Sequence, residues 1–247
     1  MYTKILKELL SLKNDEKRLI FERFFKTKKG EYGEGDKFLG IDTPTLKNFA
    51  KKYKDIDFKT LEKLISSKYH EVRFLSLNIL VLKYEKNIED EKDILDFYLR
   101  NMKYVNNWDL VDTSSYKILG RYSFENNDFS FIKKFSKSDN MWERRVSVVS
   151  LYYFIKRKNC SFPLKVLKNL LKDEEDLLKK SIGWMLREVG KNCGEETLEK
   201  FLIENYTKLA PITVSYATER FSKEKRKRFL KGNNRNNSIN IDNFSLL

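Results

Sequence analysis

Residues 70–80 read HEVRFLSLNIL and residues 141–153 read MWERRVSVVSLYY, and setting one over the other decides the fold. Both carry Glu-x-Arg followed by a run rich in apolar residues, with Arg73 and Arg145 72 residues apart. Halfway between them lies NNWDLVD (106–112). Further on, LLKKSIGWMLREVG (177–190) puts Lys180 35 residues past Arg145, and ITVSYATERF (212–221) follows about one period later. Self-similarity at a fixed step of about 36 residues is the mark of a repeat built from one helix pair.

The rest of the chain agrees. Apolar residues recur at three and four in KILKELLSL (4–12), FERFFK (21–26), LKNFAKKY (46–53), LEKLISS (61–67) and VSVVSLYYFIKR (146–157), the spacing of amphipathic helices. Three Pro and nine Gly leave little punctuation, and no stretch alternates with period two. Thr43-Pro44 reads as a cap followed by Pro in the first turn, and Asn106 followed by Asp109 as a capping-box-like start. The predicted fold is all-α: an α-solenoid of HEAT-like helical repeats curved around a basic concave groove. One domain is expected over 1–231, with a flexible tail over 232–247, where Asn-rich sequence follows Gly232. Equivalent helices of successive repeats line one wall, so the repeat phase predicts Arg73, Trp108, Asp112, Arg145, Lys180 and Trp184 near a common surface.

Composition narrows the partner. The 247 residues hold 50 Lys plus Arg against 36 Asp plus Glu, a net charge of +14, which points to nucleic acid or an anionic surface. A chain 40% hydrophobic and 14% aromatic is too apolar to be disordered. Its longest apolar runs, such as Leu151 to Ile155, fall far short of a membrane span. Cys160 and Cys193 form no Cys-x-x-Cys, so neither a disulfide framework nor a zinc site is expected, and the default is an intracellular, metal-free protein, taken as a monomer. The basic KEKRKRF (223–229) serves DNA steering or a solvated helix end equally well.

Against that positive charge, NNWDLVD places Trp108 and Asp112 one helical turn apart. A carboxylate repels phosphate and weakens plain DNA binding. It makes sense where positive charge appears on the ligand, as on the oxocarbenium-like sugar formed when a glycosidic bond breaks. Aromatic faces beside it suit a sugar or a cationic alkylated base. Of the three Trp, Trp142 reads as core, whereas Trp108 has polar neighbours and Trp184 has the small Ser181 and Gly183 to leave it room. Other chemistries lack their parts. His70 is the lone His and reads as a helix-start residue that, with no second His, makes a poor general base, and GEYGEGDKFLG (30–40) reads as a connecting loop because it follows no strand and lacks the Lys-Ser/Thr ending of a phosphate loop.

Together, FLGIDTPTLKNFAKKY (38–53), NNWDLVD, MWERRVSVVSLYY, KKSIGWMLREVGK (179–191) and LAPITVSYATERF (209–221) resemble the AlkD-type DNA alkylation repair family of HEAT-like-repeat DNA glycosylases. The resemblance runs from about residue 5 to 230 and implies excision of cationic N3- and N7-alkylpurines from duplex DNA without metal or other cofactor. It implies that Asp112 is the catalytic carboxylate, that Trp108 and Trp184 contact the deoxyribose of the lesion, and that Arg145 holds backbone near it. Lys180 and Arg187, flanking Trp184, are further candidate DNA contacts. It also implies action without drawing the base into a deep pocket. One stretch departs. In the best-known active members the region before FLGI forms a helix touching the duplex, whereas Gly30, Gly33 and Gly35 predict a loop here. A non-catalytic DNA-binding module on the same scaffold, for bent, damaged or branched duplexes, is the alternative. A protein-binding solenoid with incidental charge is a third class.

Overall fold

The computed structural model describes residues 1–233, and over them the chain is all-α. In order the helices are α1 (Tyr2–Leu10), α2 (Asp15–Phe24), α3 (Thr43–Lys52), α4 (Phe58–Ile65), α5 (His70–Glu85), α6 (Glu91–Arg100), α7 (Trp108–Ser114) and α8 (Arg121–Glu125). There follow α9 (Ser130–Phe135), α10 (Met141–Ser150), α11 (Tyr152–Lys156), α12 (Ser161–Asn169), α13 (Asp176–Cys193), α14 (Glu195–Asn205), α15 (Pro211–Ala217) and α16 (Lys223–Asn233). The described residues hold no strand; Lys37 and Tyr69 form an isolated bridge. Two compact units are distinguished, Met1–Tyr122 and the chain from Ser123 onward. The expected tail, 232–247, lies outside the described residues from 234 on.

Local chemistry sets the helix starts, one residue away from two of those predicted. Asp42, not Thr43, caps α3, its carboxylate accepting from Thr45 N at 3.0 Å. Asn107, not Asn106, caps α7, its side chain accepting from Trp108 N at 2.8 Å. In each case the side-chain oxygen meets a backbone N–H that the first turn leaves without an intrahelical partner. In the first unit, α5 is the core helix. Every residue in it except Leu82 and Glu85 is buried, and α3, α4 and α7 pack around it. By contrast α2 buries no residue at all and leaves Leu19, Ile20 and Phe24 more than half exposed.

The repeat has a measurable phase. Residues 69, 107, 140, 175 and 210 are the N-caps of α5, α7, α10, α13 and α15, spaced 38, 33, 35 and 35 apart. The register corrects the alignment of Arg73 with Arg145. Arg73 stands four residues past its N-cap, as Arg144 does, and both send Nη1 to a serine carbonyl six residues back, Ser67 at 3.1 Å and Ser138 at 2.9 Å. The two serine hydroxyls even accept the same N–H two residues on, from Tyr69 and Asn140, both at 3.1 Å. Arg145 and Lys180 instead share with Asp112 the place five past the cap. Arg73 is accordingly not a surface residue: it is 4% exposed and ion-paired to Asp36 at 2.6 Å.

In the second unit α13 is the long central helix, packed against α10, α11, α14 and α15. The two cysteines, expected to stay unpaired, are bonded: Cys160 caps α12, Cys193 ends α13, and their Cα atoms are 6.5 Å apart. Their separation of 33 residues is about one repeat, so the chain returns beside itself where the second sulfur lies.

Candidate functional site: an aromatic cleft with a carboxylate wall

The heptad NNWDLVD is held almost residue by residue. Asn106 Oδ1 accepts from Arg73 Nη2 at 3.2 Å, and Asn107 is the buried cap. Trp108, half-buried, stacks on Phe25 with centroids 5.3 Å apart and planes 15° off parallel, while Phe24 meets it edge-on at 5.7 Å. Asp109 accepts from Leu110 N and from the His70 ring, both at 2.8 Å. Asp112 is half-buried one turn beyond Trp108 and, with it, lines a cleft of about 620 Å³. Burial pushes the Tyr98 phenol beneath well above its ordinary value, and the charge of Asp112 adds to that push.

The cleft is less basic than the net charge led one to expect. Its walls are largely aromatic and aliphatic, among them Ile20, Phe24, Phe25 and Phe74, and its charged lining is Lys47 and His70 against Glu71, Asp109 and Asp112. Such a lining suits a planar or apolar group and developing positive charge, and offers little to a phosphate.

Behind the cleft lies a polar network that sequence reasoning missed. His70, at 2% exposure, stands between two carboxylates: Nδ1 meets Asp36 at 2.8 Å and Nε2 meets Asp109 at 2.8 Å. Phe25 and Phe38 sit against the imidazole, 4.9 and 4.5 Å between centroids. Burial disfavours the charged ring, but the Asp109 charge and the bonds to both carboxylates outweigh it and raise its pKa to about 9. Burial likewise works to raise Asp36, yet His70 and Arg73 hold it below the usual carboxylate range. Glu71 accepts the N–H groups of Leu39 and Gly40 at 2.9 and 2.8 Å and that of Ile41 at 3.3 Å; burial raises its pKa against the pull of those bonds. Gly40 is required there: its φ is +81°, and a Cβ would fall 2.2 Å from Asn14 O. The 30–40 segment is the loop its glycines predict, but it is tied down at Asp36, Phe38 and the 39–41 amides. The one available signal was the second residue of the His70-Glu71 pair, a carboxylate at a helix start. Asp36 lies 34 residues from His70, and nothing local marks it.

The second unit carries the other predicted residues. Trp184 is half-buried on α13, its ring 5.9 Å from Tyr152. Lys180 lies half-buried one turn before it, and Arg187, ion-paired with Glu219, lies just beyond. Arg145 is 5% exposed and donates through Nη1 to the carbonyl of Leu177. Ser181 and Gly183, expected to leave room beside Trp184, are both buried; a Cβ on Gly183 would sit 2.6 Å from Tyr216 Cβ and 2.7 Å from Thr213 O. That room is filled by α15. Trp142, expected in the core, is half-buried in the first turn of α10.

The described residues thus form an all-helical protein with an indole and a carboxylate on one turn of an open aromatic cleft. The family model described as "DNA alkylation repair enzyme" matches residues 5–221, and the chain belongs to that family. Among solved structures the chain is similar to a predicted DNA alkylation repair enzyme from Enterococcus faecalis, with a TM-score of 0.67 and 20% identity, over 85% of this chain and 97% of that one. At that identity the likeness speaks for the fold. A search of curated proteins returns no significant match.

Proposed function

We propose that the protein is a DNA N-glycosylase that releases cationic N3- and N7-alkylpurines from duplex DNA, the first step of base excision repair. Membership of the alkylation-repair family supports DNA as the partner and alkylation damage as the occasion. The single observation that carries the reading is Asp112 lining the cleft one turn from Trp108, instead of pointing into the core.

In this reading the damaged base already bears a positive charge. The N-glycosidic bond breaks with its electron pair going to the base, which leaves neutral and needs no general acid. The positive charge passes to C1′ and its ring oxygen, where the Asp112 carboxylate stabilises it. Water then adds to C1′, releases a proton, and leaves an abasic site. Trp108 offers its indole face to the cationic nucleoside, and Trp184 takes the corresponding role by resemblance. Lys180 and Arg187 hold the DNA backbone, and the role of Arg145, which is 5% exposed, is taken from the resemblance alone. Under the same proposal the helix pairs stack as an α-solenoid with a basic concave face, and the protein works as a cofactor-free intracellular monomer.

Incubation with N-methylated duplex, followed by mass identification of free purines, tests the reading. Asp112→Asn is expected to lose about 100-fold or more in the rate of base release, the scale seen when an electrostatic transition-state contact is removed, while duplex affinity is kept. No released purine from the unaltered protein, together with salt-dependent duplex binding, would instead establish the non-catalytic DNA-binding module.

A further inference from the structure

Outside the Trp108–Asp112 pair, the most unusual arrangement in the described residues is the buried imidazole held by two carboxylates from different parts of the chain. One carboxylate, Asp36, belongs to the loop between α2 and α3; the other, Asp109, belongs to the first turn of α7, between Trp108 and Asp112. We propose that His70, as an imidazolium, is a positioning residue: it clamps the first turn of α7 to the loop that carries Phe25 and Phe38, and so fixes the Trp108 stack and the presentation of Asp112. Its catalytic consequence rests on the glycosylase reading above; the clamp itself does not.

Charge balance supports it. Asp36 from the loop and Asp109 from α7 touch the ring, Arg73 of α5 pairs with Asp36, and Lys47 of α3, Glu71 of α5 and Asp112 of α7 line the same cleft as His70. Asp36 and Asp109 are matched by His70 and Arg73 only while the ring is charged. Loss of the proton would leave Asp109 uncompensated on the same face of α7 as Asp112, three residues away. Like charges at that spacing repel, and the start of α7, which carries Trp108 and Asp112, loses the tie that fixes it. Geometry points the same way: a neutral imidazole has one N–H and can donate to only one of its two carboxylates. The ring binds its proton more tightly folded than unfolded. Its contribution is thus full below the ordinary value of about 6.5 and fades as pH rises through about 9.

This chain contains a single His, so its ring nitrogens give one set of NMR signals that needs no assignment by mutation. In the full-length protein we expect the ring to remain protonated at both nitrogens at pH 7.5 and to titrate near 9. In Asp109→Asn the midpoint should be lower by about one pH unit or more. In a Trp142→Phe/Trp184→Phe background, Trp108 emission should change with the same midpoint and should be flat in His70→Gln. A ring already neutral at pH 7, or Trp108 emission indifferent to the titration, overturns the clamp. For catalysis, His70→Gln should slow single-turnover base release about tenfold or more with duplex Kd within about twofold, and base release by the unaltered protein should fall through the ring's own midpoint. Equal loss of binding and release in His70→Gln marks a merely structural residue and overturns the catalytic consequence. If no base is released but Trp108 still follows the ring, the glycosylase reading is what fails, and the clamp stands.

Discussion

The start of α7 in the first unit and the middle of α13 in the second each present an indole, and they are held in place by opposite physics. Trp108 is positioned by polar groups: the Asn107 cap, Asn106 on Arg73, and Asp109 on His70, with Phe25 stacked on the indole itself. Trp184 rides on a helix positioned by close packing, where Ser181 and Gly183 bring α13 against α15 and a disulfide closes its far end. Polar positioning is directional and can be titrated; steric positioning is neither. Asp112, to which the proposed reaction gives the cationic sugar, sits on the titratable support.

The largest effect expected from breaking this contrast is at Asp36. Its side chain is 4% exposed and pairs with both His70 and Arg73, so Asp36→Ala takes a counter-charge from two buried cations, leaving His70 with Asp109 and Arg73 with the neutral oxygens of Ser67 and Asn106. Removing one partner of a buried pair costs about 3–5 kcal/mol. Urea unfolding should show a loss of that size at pH 7 and a smaller one at pH 10, where His70 has already given up its proton. A loss that is the same at both pH values would mean that Asp36 acts by packing alone, and the contrast would collapse.

Next in size is the disulfide. Cross-linking residues 33 apart removes roughly 3–4 kcal/mol of denatured-state entropy in the chain-entropy account. Cys160→Ser/Cys193→Ser, or reduction of the native protein, should lower stability toward that amount without changing the His70 titration. If the ring's midpoint moves on reduction, the two supports are coupled rather than independent.

Much of the fold was legible because it rests on local information. Helix periodicity and the 33–38-residue recurrence of N-caps are properties of neighbouring residues, and both survive in the structure. The two caps were missed by a single residue, but the larger misreadings share one cause, a contact made far along the chain. Arg73 matched Arg145 by letter, but its carbonyl and carboxylate partners make it the counterpart of Arg144. His70 looked solitary because its partners stand 34 and 39 residues away, in a loop and on the next core helix. The cysteines looked unpaired for the same reason. At the candidate site, Trp108 and Asp112 could be found from their spacing of one turn, whereas the network behind them could not, since no periodicity links a loop aspartate to a helix-start histidine.

Gly183→Ala is the smallest and sharpest of these tests. The added methyl meets Tyr216 Cβ at 2.6 Å and the Thr213 carbonyl at 2.7 Å, and a backbone oxygen cannot swing aside as a side-chain tip can. Overpacking of this kind costs about 1–3 kcal/mol, against which the better helix propensity of Ala recovers at most about 1. A net loss of about 1–2 kcal/mol is therefore expected, equal at pH 7 and pH 10, with Trp184 emission altered and Trp108 emission unchanged. A pH-dependent loss would show that α13 is also under electrostatic control. A gain in stability would mean that α15 yields to the methyl, so that the small residues beside Trp184 would not be there to seat that helix.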